Sequence, residues 1–412
     1  MITINEPHIT KLNNSHVRLE ALVNIDNSEE QLLWFEVDSN YGEYLVDEKA
    51  DAFLIAVLPY ALAFKKDIEV KNSAISESLY WNLTREYIPV MGKYTKYYKF
   101  INIKAETTNV SFDSKAVGTG FSAGVDSFYT VLRNYKTNLK NCDLTHLTFF
   151  NVGACGYGSE GGEKAYRRFE ERSELFEKTI KDLNLKFVKV NSNVGDFKPV
   201  NYNWNHSYKS MSAVLALQKL FKRYYYSSGW SLNDFRLDYH DSSYYDLFNA
   251  QSFSTESTHI FSVGLWESRL DKVKFISNYP VTYDVLNVCN NHTSNCKECD
   301  KCIRTMGELY SIGKLDNYNK VFDANYFKKH LTYYQSRLIS KGYDGTIEAA
   351  FNKEIIKEMK NNGYRVSPFA YIEAVPRVIW GLCCGIAKKN KYLTKAFRKK
   401  NAEKKGLFYS DL

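Results

Sequence analysis

The sequence predicts an α/β protein built on a doubly wound parallel sheet. From residue 114 onward, short apolar runs that are typical of buried strands alternate with segments whose apolar residues recur at helical spacing. The runs are "KAVGTGF", "LTHLTFFNV", "KFVKVNSN" and "RYYYSSG", and helical patterns such as "SFYTVLRNY" and "SYKSMSAVLALQKLF" separate them. Strands that alternate with helices form parallel sheets wrapped by helices, with right-handed connections.

Length and composition define the regions around this pattern. The chain has 412 residues, 44% of them hydrophobic and 25% charged, which excludes disorder and leaves room for several domains. We predict an N-terminal α+β domain at 1–113, where runs such as "QLLWFEV" suit strands and "KADAFLIAVLPYALAF" suits a helix. The sheet domain then occupies 114–312, and a helical region follows at 313–412.

The net charge of +8 comes mostly from scattered lysines, with a concentration in "AKKNKYLTKAFRKKNAEKK". Scattered charge argues against a nucleic-acid partner, whereas the N-terminal domain and this basic tail are candidates for contact with a protein partner. A membrane-surface role for "VIWGLCCGIA" and the tail is an alternative. No secretory signal or run of membrane-spanning length is present, so we expect a cytoplasmic protein, as a homo-oligomer or in a hetero-complex.

A loop rich in small residues lies between the first strand of the sheet domain and its helix. It reads "FSAGVDS", with Ser122, Ala123, Gly124, Val125, Asp126 and Ser127 in order. Backbone amides at a helix N-terminus, with glycine to permit close approach, are suited to phosphate. The common P-loop is excluded because no lysine precedes the serine. The structural alternative is that Asp126 only caps the helix.

This loop resembles the SGGxDS loop of the PP-loop ATP pyrophosphatases, with Ala123 where the first glycine usually stands. The resemblance implies a HUP-type, Rossmann-like fold in which Ser122 to Ser127 hold the phosphates of Mg²⁺-ATP, with Asp126 near the metal-phosphate end. It also implies that the backbone of Phe150, Asn151 and Val152, after the second strand, meets the adenine. We expect negative φ at Ala123, since a methyl group fits only there.

A second glycine pattern follows the strand that ends in "FFNV". "GYGSEGG", from Gly156, matches the dinucleotide-binding pattern GxGxxG. Asn191 and Asn193 stand where that fold would place an acidic residue after the next strand, which argues against a dinucleotide.

Four cysteines lie within "CNNHTSNCKECDKCIRT", namely Cys289, Cys296, Cys299 and Cys302, with x6, x2 and x2 spacing. Four thiolates at such short intervals suit a tetrahedral zinc knuckle, and an iron–sulfur cluster is the alternative. The PP-loop pattern together with this late cysteine cluster resembles 7-cyano-7-deazaguanine synthase and its relatives over about residues 115–310. Relatives with extra domains occur in anti-phage defence, and this chain is similar to that branch too.

The resemblance implies an enzyme that uses ATP to adenylate a carboxylate, such as a 7-deazaguanine-type acid, with release of pyrophosphate. Ammonia or an amine then displaces AMP to give an amide or nitrile, and the acid can be joined to a protein amine. Lys301 and Arg304 are candidate cations for the polyphosphate or the carboxylate, and Arg269 for the α-phosphate. Alternatives are a nucleotide-binding sensor or assembly subunit without turnover, and a PP-loop enzyme that thiolates nucleic acid.

Overall fold

The computed structural model describes residues 1–26, 30–156, 162–196, 202–237, 241–289, 292–346 and 348–389. The strands of this part of the chain are β1 Ile2–Ile4, β2 His8–Lys11, β3 His16–Ile25, β4 Gln31–Asp38, β5 Ile68–Ser76, β6 Ile103–Thr108, β7 Ala116–Gly120, β8 His146–Asn151, β9 Lys186–Ser192, β10 Phe221–Ser227 and β11 His259–Val263. The helices are α1 Asp51–Phe64, α2 Glu77–Trp81, α3 Ile88–Tyr94, α4 Val125–Asn134, α5 Gly162–Asp182, α6 Tyr202–Leu215, α7 Asp246–Ser252, α8 Arg269–Ile276, α9 Asp300–Ser311, α10 Ala324–Lys329, α11 Leu331–Gly342, α12 Ala349–Asn361 and α13 Pro368–Lys389.

The predicted α/β class is confirmed by a parallel block of five strands in the order β11-β10-β7-β8-β9. Four of these strands coincide with the four apolar runs that the sequence analysis selected. The fifth, β11, was missed, because "HIFSV" is short and follows polar residues. In this order β7 pairs with β8 on one side and with β10 on the other. The chain builds the sheet from β7 to β9 in one direction and then returns to add β10 and β11 on the other side of β7, so the switch point of the sheet lies between β7 and β10. Ligands of open α/β sheets bind at the carboxyl ends of the strands at such a point.

The N-terminal region continues the same sheet. Strand β4 pairs with β9 in antiparallel register, with Phe35 opposite Ser192 and Val37 opposite Val190. The sheet then continues through β3, β1, β5 and β6, and β2 pairs with β3. By compactness, the chain divides into residues 1–294 and residues 295–412. This division differs from the boundaries near 113 and 312 that the sequence suggested, because β9 leaves an edge on which β4 adds a strand.

The second unit is helical in its described residues, as the periodicity of 313–412 predicts. Apolar side chains of α11, α12 and α13 form its core, including Leu338, Ile355, Met359 and Ala374, which are all buried. The basic tail lies mostly beyond residue 389, outside the described residues. Among the helices that the structure describes, none is both long and apolar enough to cross a membrane.

A buried ion pair joins the N-terminal region to the parallel block within the first unit. Lys49 Nζ lies 3.9 Å from Asp51 Oδ2, and both side chains are inaccessible to solvent. Ser76 Oγ and Gln218 Nε2 donate to this carboxylate at 2.6 and 2.9 Å, and Lys49 donates to Ser76 Oγ at 3.0 Å. Gln218 follows α6, whereas the other three residues belong to α1, β5 and the segment before α1. The charges are therefore compensated by groups from both parts of the unit.

We predict that Lys49→Met lowers the free energy of unfolding by about 3–5 kcal/mol, because the substitution leaves a buried carboxylate without its cation. Urea denaturation monitored by circular dichroism measures this loss. The matched control is Lys115→Met, which removes an exposed ion pair with Asp113 and should cost less than about 1 kcal/mol. Equal losses for the two variants would contradict a structural role for the buried pair.

Candidate functional site

The glycine-serine loop begins where β7 ends, at the carboxyl edge of the parallel block. β7 has only small side chains at its end, and a Cβ at Gly118 would lie 2.5 Å from the Phe221 ring. The loop is held by its own hydroxyls, since Ser122 N donates to Ser127 Oγ at 3.3 Å and Ser127 Oγ donates to Gly124 O at 3.0 Å. The predicted strand–loop–helix setting is therefore present.

Ala123 adopts positive φ, so the expectation of negative φ was wrong. Its φ is 55°, and the residue is buried. Left-handed backbone costs a residue with a Cβ about 1 kcal/mol, which explains why glycine is the easier choice at this position. The conformation is held from outside the loop, because Asn287 N donates to Ala123 O at 2.8 Å.

The N-cap of α4 is Gly124, which has no side chain to cap the helix, and Asp126 lies in the first turn rather than at the cap position. The alternative that Asp126 serves as the cap is therefore wrong. Uncapped amides of a first helical turn carry partial positive charge and suit an anion. In this structure they lie beside the carboxyl ends of β7 and β10.

Asp126 instead binds two cations of α8. Arg269 NH1 donates to Asp126 Oδ2 at 3.1 Å, and Lys272 Nζ donates to Asp126 Oδ1 at 3.2 Å. Both cationic side chains are largely buried, and Lys272 also donates to Ser228 O, after β10, at 2.7 Å. The predicted cation Arg269 thus has Lys272 beside it. These three groups place two positive charges and one negative charge beside the loop.

Phe150, Asn151 and Val152 lie at the end of β8, next to the loop strand. All three are buried, and Asn151 Nδ2 donates to Asn191 Oδ1 of β9 at 2.8 Å. Their backbone thus ends at the edge where the sequence analysis expects the adenine. The glycine pattern from Gly156 falls largely in residues 157–161, outside the described residues.

A polar cluster that sequence reasoning did not assign lies beside β10 and β11. His206 of α6 contacts Asp241 Oδ1 through Nε2 at 3.0 Å and the Tyr226 hydroxyl through Nδ1 at 3.3 Å. Asp246, at the start of α7, accepts a hydrogen bond from Ser262 Oγ at 2.7 Å. No motif marks these residues, because they come from separate segments. The two aspartates do follow the carboxyl end of a strand, which is the signal that could have found them.

Two nearby polar stretches of the sequence have structural contacts. Ser207 is inside α6, where its Oγ accepts from Asn249 Nδ2 at 2.8 Å. The segment "STE" at 254–256 precedes β11 and therefore lies at the amino edge, away from the loop. There Glu256 Oε1 accepts from Ser78 N at 2.6 Å, which is a structural contact.

Burial raises the pKa of Asp246 to about 6, with hydrogen bonding from Ser262 and the charges of His206 and Lys272 opposing the shift. Because the pKa of Asp246 is higher in the folded than in the unfolded state, the folded protein binds more protons than the unfolded chain between about pH 4 and 6. The free energy of unfolding therefore falls as the pH rises through this range. We predict that Asp246→Asn removes a penalty on the order of 2–3 kcal/mol above pH 6 and nothing below pH 4.

Thermal unfolding of the wild-type protein and the Asp246→Asn variant across pH 4–7.5 measures this difference. Asp113→Asn, at an exposed site, is the control and should show no such pH-dependent gain. A gain that is the same at every pH would contradict the burial of an ionised Asp246.

The cysteine cluster forms a group that is suited to one metal ion. The Sγ atoms of Cys289, Cys296, Cys299 and Cys302 all lie within 4.8 Å of one another. Four thiolates around a zinc ion at about 2.3 Å are spaced by about 3.8 Å, so the group fits a single ion better than an iron–sulfur cluster. Cys299 N donates to Cys296 Sγ at 3.3 Å, which is a common support for a metal-bound thiolate. The donor set fits Zn²⁺.

The segment before the first cysteine also holds the loop. Cys289 N donates to Asn287 Oδ1 at 3.2 Å, and Asn287 is the residue whose amide bonds to Ala123 O. Asn287 Nδ2 donates to the Thr293 carbonyl. A short run of chain therefore connects Cys289, the first cysteine of the cluster, to the strained residue of the loop.

Lys301 and Arg304 belong to α9 in the second unit. Arg304 is buried, its NH1 lies 3.5 Å from Glu348 Oε2, and its guanidinium packs over the Phe351 ring at 5.0 Å. It is therefore not a surface charge. Lys301 is half-buried. Contact of either cation with phosphate or carboxylate stays a prediction.

We predict that the purified protein contains about one zinc per chain and that Cys299→Ser lowers the zinc content and the thermal stability, because three thiolates bind the ion more weakly than four. Inductively coupled plasma mass spectrometry measures the metal. Cys142→Ser is the control, since this half-buried free cysteine lies outside the cluster. Iron with visible absorption in place of zinc, or full metal content in Cys299→Ser, would contradict the assignment.

Comparison of the chain with protein-family models, with curated proteins and with solved structures finds no match.

Proposed function

We propose that this protein is a PP-loop ATP pyrophosphatase that activates a carboxylate by adenylation and passes the acyl group to ammonia or an amine. The observation that carries the proposal is the position of the Ser122–Ser127 loop, at the carboxyl end of β7 and beside the uncapped N-terminus of α4. In an open α/β sheet this is the position that holds a nucleotide phosphate.

Charge around the loop supports cleavage between the α- and β-phosphates. The substrate carboxylate oxygen attacks the α-phosphorus, the bond to the bridging oxygen of the β-phosphate breaks, and pyrophosphate leaves with that electron pair. Negative charge rises on the phosphate oxygens during this step, and Arg269 and Lys272 are held beside the loop by Asp126. Fixed cations in a largely buried setting stabilise such charge at little cost in reorganisation.

The Asp126 carboxylate is already occupied by the two cations of α8 and is poorly placed to bind Mg²⁺. Both carboxylate oxygens of Asp126 already accept hydrogen bonds from cations, so Mg²⁺ would compete with Arg269 and Lys272 for this side chain. Mg²⁺ would therefore bind through the phosphates of ATP itself.

The acyl adenylate then reacts with nitrogen. An amine attacks the acyl carbon, the bond to the AMP oxygen breaks, and the amine loses a proton. Activation is needed because a free carboxylate is a poor acyl donor. The resemblance proposes a 7-deazaguanine-type acid as substrate and anti-phage defence as the setting, in which the acceptor can be an amine of a protein partner.

The zinc site contributes structure to this proposal. Zinc bound by the four cysteines would cross-link the 289–302 segment, whose neighbour Asn287 holds Ala123 in its left-handed conformation. The same cluster argues against nucleic-acid thiolation, because cysteines that ligate a metal are not free to carry sulfur.

The test is pyrophosphate–ATP exchange and AMP formation over a panel of carboxylic acids that includes 7-carboxy-7-deazaguanine. We predict that Asp126→Asn lowers exchange on the order of 100-fold, because the amide no longer anchors both cations beside the loop. Asp113→Asn is the matched control and should retain activity, since its side chain is exposed and pairs only with the exposed Lys115 among the described residues.

Circular dichroism and thermal melting show whether Asp126→Asn keeps its fold, so that a loss of exchange reports on the site. Unchanged exchange in a folded Asp126→Asn protein would overturn the assignment. Tight ATP binding without pyrophosphate or AMP over the whole panel would favour a nucleotide sensor.

A further inference from the structure

The segment "KYTKYYKFI", at 93–101, is a three-residue repeat of lysine, aromatic residue and a third residue. In the structure the third residues face inward, with Thr95, Tyr98 and Ile101 only 7%, 1% and 7% exposed. The aromatic residues face solvent, with Tyr94, Tyr97 and Phe100 exposed by 65%, 37% and 57%. The lysines before them are also exposed. The exposed side chains of this segment, here called the lysine-aromatic ribbon, thus alternate cations and rings along the chain.

The ribbon is anchored to the body of the first unit. Tyr98 makes two hydrogen bonds. Its backbone N–H donates to Thr95 Oγ1 at 3.2 Å, and its hydroxyl donates to Trp204 O at 3.3 Å. Lys99 N donates to Leu62 O, at the end of α1, at 2.9 Å. The backbone and the inward side chains are therefore held by the body of the unit, so ligand binding at the outward rings would order little further backbone.

The lysines of the ribbon are available to a polyanion. Between Glu86 and Glu106 the chain has no acidic residue, and in the described residues Lys93, Lys96 and Lys99 form no ion pair with a carboxylate. Their neighbours are aromatic rings and one carbonyl group. Lys93 Nζ lies 5.3 Å from the centre of the Tyr94 ring, and Lys96 Nζ lies 6.0 Å from the centre of the Tyr97 ring. Lys99 Nζ donates to Lys96 O at 3.2 Å.

The exposed aromatic surface extends beyond the repeat. Phe64, at the end of α1, is 45% exposed, and its ring lies 4.5 Å from that of Tyr60. The Lys99 amide donates to Leu62 O near the end of α1. Phe64 and the exposed Lys65, which follow Leu62 in the chain, therefore lie close to the ribbon.

We propose that the lysine-aromatic ribbon binds single-stranded nucleic acid. Proteins bind such strands without strong sequence preference by pairing cations with the phosphate backbone and by stacking bases on aromatic rings. A ligand that repeats one anion and one flat ring per unit matches a surface that repeats one cation and one ring. An acidic peptide would use the lysines but would leave the rings in water, and a duplex keeps its bases stacked on each other.

This inference changes the expectation from the sequence, which argued against nucleic acid because lysines are scattered along the chain. Three lysines of this segment are exposed beside exposed rings because every third residue is buried, and the sequence alone does not show which residues are buried. The inference does not depend on ATP cleavage.

The test is fluorescence anisotropy with a labelled oligo(dT) of about 20 nucleotides and with a duplex of the same length, titrated with the full chain. We expect the single strand to bind more tightly than the duplex. The double variant Tyr94→Ala/Phe100→Ala should weaken single-strand binding at least about tenfold, because it removes two stacking platforms. The control is Trp266→Ala, at a more exposed aromatic residue away from the repeat.

The contribution of the three lysines is measured by the salt dependence of binding. Lys93→Gln/Lys96→Gln/Lys99→Gln should reduce the slope of log affinity against log salt by about 2, at about 0.7 per lost phosphate contact. Lys140→Gln/Lys181→Gln/Lys222→Gln changes the net charge equally at exposed sites elsewhere and should reduce it less.

Equal binding by the ribbon variants and their controls would overturn the proposal, because the basic tail is retained in all of these proteins. Preference for the duplex would overturn it as well, and so would binding to phosphatidylserine vesicles without binding to the oligonucleotide. Pyrophosphate–ATP exchange should be unchanged in the ribbon variants, so that failure of this proposal and failure of the proposed function are distinguishable.

Discussion

Backbone pairing of β7 with β8 on one side and β10 on the other is the interaction on which the rest of the first unit depends. A strand with neighbours on both edges has its amides and carbonyls satisfied along its length, and in this unit the chain turns where the strand ends, at the carboxyl edge. That turn is the Ser122–Ser127 loop. The same pairing brings the ends of β8 and β10 beside it, and with them Asn151 and Ser228.

The small side chains of β7 allow β10 to pack closely beside it. Gly118 leaves room for the Phe221 ring, and Thr119 Oγ1 donates to Tyr225 O of β10 at 2.7 Å. Because the loop follows directly, a shift of β7 would move Ala123 away from Asn287. The left-handed conformation of Ala123 is thus maintained by contacts from a segment far along the chain, as strained residues usually are.

Electrostatics link the loop to the rest of the unit in a similar way. Asp126 engages Arg269 and Lys272, and Lys272 reaches back to Ser228 at the end of β10. At the other end of the unit, the buried Lys49–Asp51 pair is shared between the N-terminal region and the chain after α6. A buried charge is costly to leave unpaired, and in both clusters several partners converge on one carboxylate.

The sequence by itself determined the local elements and the cysteine cluster. Alternation of apolar runs and helical periodicity located β7 to β10 and their helices, and close spacing of thiols located the cysteine cluster, because these signals depend on neighbours in the chain. Only the tertiary structure decided the rest. It placed β4 beside β9, added β11, made Ala123 left-handed and brought Asp246, His206 and Lys272 to one edge. These features depend on residues that are distant in sequence, and no local pattern encodes which of them meet.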